Sequence, residues 1–177
     1  PPSEFKPYQA DADGVSPMAA FGQGYRVHVT GLIHDESGFP NGSAAATKQL
    51  IQRLHEKIEK NSSDITLYEE YRLDDAEIAF IAYGGTARSV YGAIDSAREQ
   101  GLNVGLFRPI TIWPFPERQV AKLAEKVRAI IVPEMNYGQL VGEVKQAVEG
   151  KTRVHSYAKY DSDPISPKEL LQFLATV

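Results

Sequence analysis

The sequence predicts an α/β fold: a parallel sheet with helices on both of its faces. Three observations predict it. From residue 77 onward, short apolar segments alternate with amphipathic helical ones in the order β-α-β-α-β-α-β-α. The first apolar segment, IAFIAY at 78–83, has no polar side until its last residue, as expected of a strand covered on both faces. The connections between segments are short and marked by glycine or proline.

Residues 1–42 stand apart as an irregular arm. They hold five prolines and six glycines, a density that interrupts helices and strands alike. Within the arm only 25–29 alternates like a strand, with Tyr25, Val27 and Val29 on one side. An irregular stretch of about 40 residues is unusual inside a compact domain, so the arm is expected to cross a surface or to join this body to another domain. Residues 43–177 form the expected domain. Its first helix is 44–60, with Leu50, Ile51, Leu54 and Ile58 at helical spacing, stopped by Asn61, Ser62 and Ser63. A short strand at 65–71 places Ile65, Leu67, Glu69 and Tyr71 on one face, and implies a buried charge at Glu69.

The regular part comes next. Gly84 and Gly85 turn the chain out of the 78–83 strand into a helix at 86–100, whose stripe is Val90, Ala93, Ile94 and Ala97, with Gly101 past its end. A strand at 103–107 leads to a helix at 117–128 carrying Val120, Leu123, Ala124 and Val127. A third strand, 129–132, is closed by Pro133 and precedes a helix at 139–149 ended by Gly150. A fourth strand lies at 152–157. Ser166, Pro167 and Glu169 then form a capping box with proline at the first helical position, opening a last helix at 167–176 that buries Leu170, Leu171, Phe173 and Leu174.

Composition narrows the function. Hydrophobic residues make up 42% of 177, enough for one buried core. Nineteen basic against twenty-three acidic residues leave a net charge of −4, which argues against a nucleic-acid partner. No apolar run approaches the roughly 18–20 residues of a membrane span. The absence of cysteine excludes disulfides, thiolate zinc sites, a cysteine nucleophile and iron–sulfur ligation from this chain. No secretory signal opens the sequence, so the cytoplasm is the expected compartment. The Pro1-Pro2 start suggests a processed product or a piece of something longer.

Four segments carry chemistry. Gly84, Gly85, Thr86, Arg88 and Ser89 lie between a buried strand and a helix, where open amides attract anions. The pattern is neither G-x-G-x-x-G nor a P-loop, and a tight turn with Thr86 as cap explains it equally. His34, Asp35 and Glu36, six residues after His28, offer metal- and proton-binding groups, but three adjacent loop residues need not converge, and a solvated or interdomain loop is the other reading. The loop RPITIWPFP at 108–116 is apolar and proline-rich; it either packs under the fold or meets a partner, and Arg108 could reach a carboxylate or phosphate. In PEMNYGQ at 133–139, Asn136 and Gln139 could read a polar group, or Asn136 could cap the next helix. With only four histidines, no Ser-His-Asp triad assembles, and no acid pair stands out as a general acid/base couple.

These segments together resemble the α subunit of 2-oxoacid:ferredoxin oxidoreductases, in particular the 2-oxoglutarate and 2-oxoisovalerate types. The resemblance rests on FKPY at 5–8, PMAAFGQGYRVHVT at 17–30, GLIHDESGFP at 31–40, AYGGT at 82–86, GLFRPITIWPFP at 105–116 and VPEMNYGQL at 132–140. It implies a three-layer α/β/α sandwich with a mostly parallel five-stranded sheet, like the C-terminal domain of transketolase, and 65–71 could be its antiparallel edge strand. It also implies that an N-terminal thiamine-type domain belongs to the same subunit and that this chain corresponds to the domain after it. The whole complex would convert a 2-oxoacid, coenzyme A and oxidised ferredoxin to acyl-CoA, carbon dioxide and reduced ferredoxin. Its thiamine diphosphate, magnesium and iron–sulfur clusters would sit in the β subunit or other domains, and ferredoxin would be met only through the complex. No cofactor is expected on this chain, and the HDE loop is expected to face the thiamine-type domain. Two other readings remain: a stand-alone nucleotide- or anion-binding module using 84–89, and the equivalent domain of another thiamine enzyme.

Overall fold

Strand β2, Ile78–Ile81, is the centre around which the second half of the chain is built. All four of its side chains are buried, and they alternate: Ile78 and Phe80 enter one apolar layer, Ala79 and Ile81 the other. The computed structural model describes residues 2–177; Pro1, counted in the expected arm, lies outside the described residues. By internal contacts the chain divides into two units, one ending at Ile65 and the other Thr66–Val177.

The second unit holds a five-stranded sheet in the order β1-β3-β2-β4-β5. Its strands are β1 Tyr68–Tyr71, β2, β3 Val104–Pro109, β4 Ala129–Glu134 and β5 Arg153–Ala158. β1 runs antiparallel to β3 at the edge, and every other pairing is parallel. One face is covered by α3, Thr86–Glu99, and α6, Pro167–Leu174; the other by α4, Glu117–Ala124, and α5, Leu140–Val148. This is the expected three-layer α/β/α sandwich, antiparallel edge included. The chain runs from β2 to β3 on one side and from β4 to β5 on the other. The connections leaving the adjacent strands β2 and β4 therefore diverge, and a crevice opens between their carboxyl ends.

Several boundaries depart from expectation. β1 begins at Tyr68, because Ser62–Ile65 turns as a short helix, α2, on Asn61, whose carbonyl accepts from the Asp64 and Ile65 amides. Glu69 is exposed, not buried, and pairs with Arg108. The helix predicted over 117–128 stops at Ala124. Lys126 N–H bonds to Leu123 O in a tighter turn, while Val127 stays buried and preserves the apolar period after the helix has ended. β4 runs through Pro133 to Glu134. The pairing with β2 ends at Phe80↔Ile131, so the N–H that proline lacks is not needed there, and β5 carries the register on to Glu134↔Ala158. α6 ends at Leu174, with Leu170 and Leu174 fully buried and Leu171 and Phe173 only partly.

In the first unit, α1, Ala44–Lys60, matches expectation and is capped by Ser43, whose hydroxyl accepts from Ala46 N–H. None of its residues is fully buried. Arg53 donates to Gly14 O and Asn61 donates to Asp13 O, contacts that join α1 to the arm, whereas the sequence alone places this helix, 44–60, in the domain that starts at 43. The alternation at 25–29 is not a strand: Tyr25, Val27 and Val29 are all exposed and have no ladder partner.

Candidate functional site

The crevice between β2 and β4 is lined by two turns. The turn after β2 carries Tyr83, Gly84 and Gly85, and Gly84 adopts φ of +55°, a conformation glycine takes without strain. Gly84, Gly85 and Arg88 are exposed; Thr86 and Ser89 are half-buried. Thr86 is the first helical residue, and no side chain caps the start of α3. The turn after β4 is different. Asn136 Oδ1 accepts from Gly138 N–H at 2.8 Å and Gln139 N–H at 3.0 Å. Its Nδ2 donates to Tyr83 Oη at 3.3 Å, which ties the two turns together.

Glu134 is the residue that sequence reasoning missed. It is 1% exposed, the one charged side chain buried among the described residues. Its Oε2 accepts from Leu140 N–H at 2.6 Å and its Oε1 from Val141 N–H at 3.0 Å, so the carboxylate closes the start of α5. Anionic charge at a helix start is favoured by the open amides and the helix dipole, which is what lets a carboxylate stay in the interior. The only available signal was a glutamate at the last position of an apolar strand, six residues before a helix. Asn136, expected either to read a polar group or to cap the helix, accepts from the Gly138 and Gln139 amides ahead of α5. It organises the turn, and Gln139 is the exposed N-cap position.

Arg108 lies outside this crevice. Its Nη1 donates to Glu69 Oε2 at 2.9 Å across the β1–β3 pair, and Tyr91 Oη donates to the same oxygen at 3.2 Å. Tyr91 and then Glu69 hold the guanidinium above its ordinary pKa. The rest of its loop divides. Phe107 is buried and Phe115 packs on the α4–α5 layer, whereas Trp113 is 67% exposed. Tyr137 is 82% and Tyr160 65% exposed, with ring centroids 4.9 Å apart. Large apolar side chains thus stand in solvent on the three loops that come after β3, β4 and β5.

In the first unit, His34, Asp35 and Glu36 do not converge on a shared point. Asp35 Oδ1 accepts from Ser37 and Phe39 N–H and builds the loop. Glu36 pairs with Lys6 at 3.3 Å, and the His34 ring lies 4.1 Å from that of Tyr8. They border a groove of about 930 Å³ lined by four bases and four acids, so no single charge sign is selected. Among the described residues no three His, Asp or Glu side chains are placed to hold a metal, and the chain has no cysteine. With no cysteine, the chain offers no thiolate to ligate an iron–sulfur cluster. Among the described residues no helix is long and apolar enough to cross a membrane.

The family model described as pyruvate:ferredoxin oxidoreductase core domain II matches residues 76–170. The chain is 41% identical over 175 residues to 2-oxoglutarate synthase subunit KorA of Methanothermobacter thermautotrophicus, covering 98% of this chain and 46% of that subunit. It thus spans about half the length of the curated relatives it matches. A structure of 2-oxoglutarate:ferredoxin oxidoreductase from Magnetococcus marinus with 2-oxoglutarate, coenzyme A and succinyl-CoA bound matches 97% of this chain and 30% of its own, at 25% identity and a TM-score of 0.78. A split-gene transketolase in an inactive tetramer matches 61% of this chain at 11% identity and a TM-score of 0.52, a likeness of fold alone.

Proposed function

Because the chain belongs to the pyruvate:ferredoxin oxidoreductase core domain II family, we propose that it is a non-catalytic assembly domain in the α subunit of a cytoplasmic 2-oxoacid:ferredoxin oxidoreductase. The complex would convert 2-oxoglutarate, coenzyme A and oxidised ferredoxin to succinyl-CoA, carbon dioxide and reduced ferredoxin. Thiamine diphosphate, magnesium and the clusters would be held elsewhere in it; no step of that chemistry is assigned to a side chain of this chain. Its neighbours would be a thiamine-type domain of the same subunit, approached by the arm, and the β subunit.

The observation that carries this reading is the apolar rim at the carboxyl edge of the sheet. Trp113, Tyr137 and Tyr160 are too large and too exposed to serve the sandwich beneath them, and such patches mark surfaces made to be covered. In the assembled complex, Trp113→Ser with Tyr137→Ser is expected to weaken subunit association without changing the circular dichroism of this chain. Gel filtration and analytical ultracentrifugation read the outcome; full assembly of the double variant at dilute concentration would sink the proposal. The same experiment with Arg108→Ala and Asn136→Ala, scored also by the Michaelis constant for coenzyme A, tests whether those two strand-end positions face a subunit or the coenzyme. A second reading, anion binding at Gly84–Ser89, has one observation in its favour: no side chain caps the start of α3. Copurifying phosphate or nucleotide would support it.

A further inference from the structure

The crevice between β2 and β4 has the topology in which α/β folds bind phosphorylated ligands, yet its two sides are not alike. On the β4 side every amide from Gly138 to Val141 is already taken by a side chain of the same turn. Asn136 takes Gly138 and Gln139; Glu134 takes Leu140 and Val141. Glu134 is the last residue of β4, so its backbone is fixed by the sheet: its carbonyl accepts from Lys159 N–H at 2.9 Å, and it stands in register with Ala158 of β5. At 1% exposure the carboxylate is neither reachable by a ligand nor free to swing out without opening the interior.

We infer that Glu134 is a specificity-determining residue. Its carboxylate is a built-in anion that fills the amide cradle at the start of α5 and closes that side of the crevice to phosphate and carboxylate groups of any ligand. Charge decides the outcome. An incoming anion would have to displace a carboxylate that already makes two charge-assisted hydrogen bonds, or lie beside it where both donors are neutral amides. This role of Glu134 arises from the local geometry of the β4–α5 turn and is independent of the assembly role proposed above.

Chemical rescue tests it. Glu134→Ala removes a CH2–COO⁻ group, a space that acetate matches. The Leu140 and Val141 amide resonances of the 177-residue chain are monitored by NMR as acetate or inorganic phosphate is added, with ionic strength held by chloride. In the wild-type chain neither anion should move those two resonances. In Glu134→Ala, acetate should move them saturably and raise the melting temperature by about 3–6 °C at ten times its dissociation constant. If the variant is unfolded at the outset, acetate should restore the folded spectrum where chloride does not. Movement of the wild-type resonances by either anion overturns the inference, because the cradle would then be open. So does an acetate effect on Glu134→Ala, folded or not, no larger than that of chloride.

Discussion

Glu169 keeps its negative charge far into acid because three bonds favour the carboxylate. Ser166 donates to it from both hydroxyl and backbone, at 2.6 and 2.8 Å, Lys159 adds an ammonium at 2.9 Å, and Ser166 Oγ accepts from Glu169 N–H in return. The Ser166 hydroxyl first, then Lys159, pulls its pKa from 4.5 down to about 2. A depressed carboxyl contributes stability that is whole above its ordinary pKa and fades as pH falls toward the folded one. Glu169→Gln should therefore melt lower than wild type at neutral pH, and the gap between the two should close as pH falls from about 4.5 to about 2. Melting curves at several pH values read this; a gap independent of pH would remove the carboxylate from the account. This cap was legible in the sequence because its three residues fall within four consecutive positions and their types are diagnostic. Glu134 does the same work for α5 but was not legible. Its partners are six and seven residues away, and only the path of the chain out of the sheet brings them back. His34, Asp35 and Glu36 show the converse: residue types that suggest chemistry, placed by a loop that uses Asp35 for its own amides.

The strands and helices were legible wherever period and punctuation agreed. α3 and the parallel order come from apolar spacing, because α3 buries one stripe and the central strands bury both faces; α1 follows the same spacing although none of its residues is fully buried. Boundaries failed where a tertiary pairing overrode a local stop signal, as at Pro133, or where a buried side chain outlived its helix, as at Val127. The alternation at 25–29 failed for lack of a partner strand. Gly105 is a case where a residue type carried meaning that only packing reveals. It lies in β3, between β1 and β2, and a Cβ there would meet the Arg72 carbonyl oxygen and would stand 2.7 Å from Leu73 Cδ2. That carbonyl cannot easily retreat: Arg98 donates to it at 2.7 Å while holding Asp75 through both of its carboxylate oxygens. Gly105→Ala is expected to destabilise the chain by about 2–4 kcal/mol, measured as a lowered urea midpoint at unchanged slope. A loss under about 1 kcal/mol would mean that the β1–β2 turn yields more readily than its hydrogen bonds imply.

Net charge, surface and topology bear together on what this chain binds unaided. A net charge of −4 gives no long-range attraction for phosphates. The β4 side of the crevice is closed by an internal carboxylate, and the groove of the first unit balances acids against bases. What the surface does offer is apolar area at the sheet's carboxyl edge, which suits a protein face better than a small anion. A thermal-shift panel of coenzyme A, thiamine diphosphate with magnesium, NAD, ATP and phosphate is therefore expected to leave the melting temperature of the chain unchanged. The panel is sensitive enough to decide. A ligand at a hundred times its dissociation constant stabilises by about 2.7 kcal/mol, a rise of roughly 5–10 °C for a domain of this size. A rise with coenzyme A alone would make the strand-end loops part of an acyl-acceptor site and displace the assembly reading. A rise with phosphate and ATP alike, lost on Arg88→Ala, would place an anion at the uncapped start of α3. If nothing shifts it, the proposed reading of the chain as a docking body, with its exposed aromatic residues as the contact surface, stands.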